Sequence, residues 1–159
     1  MGFDLRSRVK ISFVDETQFS QRIGADPSIA QPVLGETRAV ASEGLAVVDV
    51  RDVLMLQGLP ALWFATTLVH ENMHAWIWEN HIQVHDLMIS EGLCEALSFE
   101  WLRRQKGALP AALADRMLHS PDPIYGEGLR SVLAACTSGN LFGELDNIAA
   151  RKLQALCVS

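Results

Sequence analysis

Leu68-Val69-His70-Glu71-Asn72-Met73-His74-Ala75-Trp76 is the stretch on which the reading of this chain turns. It contains His-Glu-x-x-His. Four residues make about one helical turn, so on a helix both imidazoles leave from one face, with Glu71 about 100° further round. Two histidines so spaced can converge on one metal ion, and the carboxylate beside the first is placed to serve as a base. A shuffled chain of this composition would produce the pattern only about once in 100 trials, so the spacing carries information.

Working outward, Pro60 suits the first turn of a helix, and Ala61 to Val69 is apolar almost all round before polar residues begin. A helix from Pro60 to about Asn80 follows, its apolar half expected to be buried centrally. A linker holding His81, His85 and Asp86 leads to a second helix, about Ser90 to Lys106, stopped by Gly107. A catalytic zinc needs a third protein ligand and an open position for water. The second helix offers Glu91 as that ligand, with Glu95 one turn later on the same face, placed to accept the second ring N–H of His70. Either carboxylate could face the metal if the helix were rotated, and residue type alone does not decide between them. Cys94 stands between them, a possible donor whose ordinary reading is a buried apolar thiol.

Upstream, Val9 to Asp15 alternates with period two and Leu45 to Leu56 is rich in valine, which predicts strands. Gln21 to Thr37 contains Gly24, Pro27, Pro32 and Gly35 and reads as a loop, and Arg38 to Ala41 as a short strand paired across Ser42-Glu43-Gly44. Downstream, helical patterns recur over Pro110–His119, about Tyr125–Thr137 and Leu141–Leu156. The expected class is α+β, in a single domain over residues 1–159.

The composition narrows the function. With 159 residues, 49% of them hydrophobic and 20% charged, the chain can build one core and lacks the composition of disorder. A net charge of −6 and the absence of a basic run argue against nucleic acid. The longest nearly apolar stretch, Gly58 to Val69, is too short to span a bilayer, so no membrane role is expected. The three cysteines include no C-x-x-C pair, and the N-terminus reads as neither a secretory signal nor a myristoylation site, so a cytoplasmic location is expected.

The segment Ser90-Glu91-Gly92-Leu93-Cys94 resembles the glutamate helix of gluzincins, the thermolysin-type zincins, and this favours Glu91 as third ligand, leaving Glu95 to support His70. A closer resemblance runs from about residue 37 to 150. Val53 to Pro60, Leu68 to Trp76, Glu91 to Leu97, Trp101 and Tyr125-Gly126-Glu127-Gly128-Leu129-Arg130 are similar to the peptidase domain of the plant LIM-domain peptidases that are activated by ubiquitin. No Cys/His clusters of LIM fingers and no ubiquitin-interacting segment are present, so a stand-alone peptidase unit is expected without that control. Glu95 stands where the plant proteins carry an amide, and His81 and His85 fall where they lack histidine.

The resemblance implies a minimal gluzincin-like zincin, with a small N-terminal sheet, an active-site helix, a glutamate helix and short C-terminal helices. Zn2+ would be held by His70, His74 and Glu91. Glu71 would be general base and then acid in hydrolysis of a protein or peptide substrate. Tyr125, the single tyrosine, is the first choice for the donor that stabilises the tetrahedral intermediate, and His85 the second. An extended substrate is expected to pair with an edge strand within Arg38 to Val50. Residues 16 to 36 are the one candidate for an inhibitory latch. Arg130 reads as an ion-pair partner for Glu127 or another carboxylate. The rival reading is an inactive zinc-binding module that acts through protein contacts. Oligomeric state and substrate identity are not encoded legibly.

Overall fold

The computed structural model describes residues 9–23, 34–41 and 48–136. They form three strands and five helices, a mixed α and β architecture. The chain divides into two compact units, Met1–Glu79 and Asn80–Ser159. The expected helix over 141–156, the turn at 42–44 and Cys157 lie outside the described residues.

In the first unit, strands β1 (Lys10–Val14), β2 (Gly35–Ala41) and β3 (Val48–Leu56) make one sheet in the order β1-β3-β2. β1 runs parallel to β3, and β2 runs antiparallel to it, with Thr37 opposite Val53 and Arg38 opposite Asp52. A register shift follows Arg38, so that Ala39 faces Val50. Because side chains alternate across a pleated strand, the sheet has two distinct faces. Val14 and Leu54 pack with Phe19 in a small core joined by Leu56. On the other face Phe13 stacks on Phe64 of helix α2 (Ala61–Glu79), with ring centres 5.8 Å apart.

Two expectations change here. Gln21–Ile23, expected as the start of a loop, instead close helix α1 (Glu16–Ile23), whose Phe19 is buried. The cause is a reciprocal cap: Asp15 Oδ1 accepts from the Gln18 amide at 2.8 Å, and Gln18 Oε1 accepts from the Asp15 amide at 3.4 Å. The parts of the expected latch that are described, 16–23 and 35–36, are therefore integral elements of the unit. The strand expected at Arg38 begins at Gly35, and Val48–Val50 belongs to the central strand, so the edge lies at β2.

Gly58, with φ +85°, turns the chain between β3 and α2, a conformation that glycine adopts without steric cost. α2 matches the expected helix closely. Its burial does not: among described residues the apolar half, 61–70, is exposed or half-buried, and burial begins at Glu71 and takes in Met73, Ala75, Trp76 and Ile77. A three-stranded sheet covers one side of a helix, and the all-round apolar character of Ala61–Val69 exceeds what that sheet can cover.

The second unit holds α3 (Leu87–Arg104), α4 (Ala108–Leu118) and α5 (Tyr125–Ala135). Asp86 caps α3 by accepting from the Ile89 amide at 3.1 Å. α3 and α5 meet through glycine: a Cβ on Gly92 would lie 2.5 Å from the Gly128 backbone, so only a bare residue permits this approach. Cys94, Leu97, Leu102 and Leu129 are buried in this unit.

Candidate metal centre and general base

The α2 half of the site can be built from its helix outward. His70 and His74 stand one turn apart, and their rings meet edge to face with centres 5.1 Å apart. Two imidazoles bound through nitrogen to one tetrahedral ion set their ring centres about 5 Å apart, so this pair fits a shared zinc-like ion. The next turn adds Trp78, whose ring lies 6.0 Å from that of His74. Both histidines are half-buried, a position open to a ligand yet fixed by the helix.

Glu71 differs from a solvated helix carboxylate in being 5% exposed. Its Oε2 accepts from the Thr37 hydroxyl at 2.7 Å, and its main-chain oxygen lies 2.9 Å from the same hydroxyl. Gly35, two residues earlier on the same face of β2, gives the carboxylate room: a Cβ there would lie 3.0 Å from Glu71 Cγ and 3.1 Å from Oε1. These two β2 residues were invisible as site residues in the sequence, where Gly35 reads as loop. The available signal was alternation, since Gly35 and Thr37 share one face while Glu36 and Arg38 share the other.

On that opposite face Arg38 grips Asp52 with two hydrogen bonds, Nε to Oδ1 at 2.8 Å and Nη2 to Oδ2 at 2.6 Å. Asp52 in turn holds the guanidinium in its charged form. Burial raises the Glu36 carboxyl above its usual range; Arg38 opposes this, and the negative charges of Glu71 and Asp52 add to it.

In the second unit Glu91 and Glu95 lie on α3, one turn apart and half-buried, with the buried Cys94 between them. Neither Cys94 nor Cys136 is joined in a disulfide. Tyr125 is the first residue of α5, where the helical pattern was expected to begin, its amide donating to Asp122 Oδ1 at 2.8 Å. Gly126, next in sequence, is packed so tightly that a Cβ would lie 2.3 Å from the Ser120 carbonyl oxygen. Arg130 does not pair with Glu127; it donates to the carbonyls of Leu118 and Ser120 at 3.1 and 2.8 Å, closing the end of α4. His85 is exposed in the linker before α3, and His81 holds a left-handed backbone with φ 52°. No helix among the described residues is long and apolar enough to cross a membrane.

Fold and site together define a mixed α and β protein whose longest helix presents a His-Glu-x-x-His pair above an edge strand that holds the intervening carboxylate. The class becomes specific on comparison with known families: the family model DA1-like, described as Protein DA1, matches residues 13–115, and the chain belongs to that family. Protein DA1-related 7 of Arabidopsis thaliana is 35% identical over 148 residues, covering 72% of this chain and 26% of that protein. Protein DA1-related 3 of the same plant is 34% identical over 84 residues, covering 53% of this chain and 18% of the relative. The LIM domain-containing protein HDR3 of Oryza sativa subsp. japonica is 35% identical over 57 residues, 36% of this chain and 11% of that protein. The matches thus span only a minor part of each longer relative. No solved structure matches the chain.

Proposed function

We propose that this chain is a zinc-dependent endopeptidase domain of minimal gluzincin type that hydrolyses peptide bonds of a protein or peptide substrate. The observation that carries the reading is the pairing of two converging imidazoles with an intervening carboxylate that is buried and held in place. His70 and His74 supply two ligands and Glu91 of α3 the third, as the resemblance implies. Cys94, which stands between Glu91 and Glu95 in the sequence, is the rival third donor. Zinc, when bound, supplies Lewis acidity for the attacking water and the peptide carbonyl. Glu71 takes the proton of that water and hands it to the leaving amine, so the proton balance closes within one residue. Glu95 supports the ligand set, and Tyr125 donates to the developing oxyanion. The outer edge of β2, unpaired among the described residues, supports the binding of an extended peptide as an added strand.

Elemental analysis of the purified chain tests the ligands, and hydrolysis of fluorescein-labelled casein tests the chemistry. One zinc per chain is expected, lost in His70→Ala, His74→Ala and Glu91→Ala but kept in Cys94→Ser. Glu71→Gln should keep zinc and lose hydrolysis. Retention in Glu91→Ala with loss in Cys94→Ser would transfer the third position to the thiol. Zinc bound by a chain whose Glu71→Gln variant behaves as wild type would favour the interaction module instead.

A further inference from the structure

We propose that Thr37 is the positioning residue for Glu71, holding its carboxylate in one place against strand β2. The inference rests on the peptidase reading above. A hydroxyl carries one hydrogen and two lone pairs. Here two acceptors of one residue compete for that hydrogen, Glu71 Oε2 at 2.7 Å and the Glu71 main-chain oxygen at 2.9 Å. The hydroxyl thus sits between the side chain and the backbone of the same residue and ties one to the other, which holds the carboxylate in one rotamer on the face of β2. Thr37 is itself 7% exposed and fixed in β2 opposite Val53, so water competes little for this contact. Gly35 completes the cradle from the same strand face by leaving Oε1 unobstructed.

A hydroxyl is the chemical requirement, and a methyl in its place cannot meet it. The test compares Thr37→Val, Thr37→Ser and Glu71→Gln in the full chain. In the zinc-loaded protein, Thr37→Val should lower kcat on fluorescein-labelled casein about 10- to 100-fold with KM nearly unchanged, as expected for a misplaced base, and Thr37→Ser should restore most of it. An infrared difference spectrum of the zinc-free chain gives a readout that needs no activity. The carboxylate stretch that Glu71→Gln removes should shift in Thr37→Val and return in Thr37→Ser. A band and a kcat that valine leaves unmoved, or a loss that serine fails to restore, overturns the role of Thr37. Hydrolysis that requires Glu71 but ignores Thr37→Val overturns it while the peptidase reading stands. Absence of any hydrolysis by wild type removes the peptidase reading, and the positioning role with it.

Discussion

Asp52 and Glu71 are both buried carboxylates reached from strand β2, and the strand treats them in opposite ways. Asp52, 8% exposed, lies in the grip of a guanidinium whose two hydrogen bonds occupy both its oxygens. Glu71, 5% exposed, meets from β2 a single neutral hydroxyl. A carboxylate locked to a cation is a fixed charge that ties two strands together. One held by a hydroxyl is oriented without being neutralised. The alternation of one strand, Gly35 and Thr37 on one face and Glu36 and Arg38 on the other, therefore separates a carboxylate paired with a cation from one oriented by a hydroxyl.

The sharpest way to break this comparison is to neutralise each acid in turn. Glu71→Gln should cost about 100- to 10,000-fold in kcat, the usual worth of a general base, while leaving the unfolding midpoint close to wild type. Asp52→Asn should do the reverse, leaving casein hydrolysis within a few-fold and lowering stability by about 1–2 kcal/mol in urea denaturation. The cost stays modest because Arg38, with 37% of its side chain exposed, can turn toward water when its partner is lost. A large loss of activity in Asp52→Asn with full stability would show that the two acids had been assigned the wrong way round.

The motif itself was legible because its information is local: a turn of helix brings His70 to His74 whatever the rest of the chain does, and their ring separation bears that out. Helix α3 was equally readable, although its start was expected at Ser90 and the Asp86 cap sets it at Leu87. What escaped was non-local. Thr37 and Glu71 are 34 residues apart, and nothing in the spelling of either segment names the other. Helix α1 escaped although Asp15 and Gln18 carry the cap that starts it, because its eight residues are too few for a helical period to stand out. The apolar run Ala61–Val69 misled in the other direction, since hydrophobicity sets what burial would gain and not which partner is there to provide it. Arg130 was assigned to a charge and found two carbonyls, a partner type that sequence cannot single out.

The cradle on the Glu71 face can be sharpened by filling it. In Gly35→Ala the new methyl would stand 2.7 Å from Thr67 Cγ2 and 3.0 Å from Glu71 Cγ, so one of these side chains must yield. Overpacking of this kind should cost about 1–2 kcal/mol in urea denaturation, outweighing the small gain of alanine over glycine in a strand. Activity should fall with it, because Glu71, the proposed base, is one of the two side chains that the new methyl presses on. If stability fell and kcat did not, the glycine would serve packing alone.

The smallest expected effect lies on the opposite face, at Glu36, and it has a definite sign. Burial, with the negative charges of Glu71 and Asp52, holds this carboxyl above its usual range despite Arg38 nearby. A folded-state value raised above the unfolded one means that the native chain binds the proton more tightly. The stability this confers is fully present below the unfolded value and is lost as pH rises through the folded one. At neutral pH, above the unfolded value, Glu36 is therefore a small liability, and its Oε2, buried without a hydrogen-bond partner among the described residues, shows why. Glu36→Gln removes the charge while keeping the shape. It should stabilise the chain at pH 7 by less than about 1 kcal/mol, discounted for a partly exposed group that water screens. The gain should shrink toward zero near pH 4, where wild type is itself protonated. Urea denaturation of both chains at the two pH values measures the difference, and a gain of the same size at both would trace the effect to packing and not to charge.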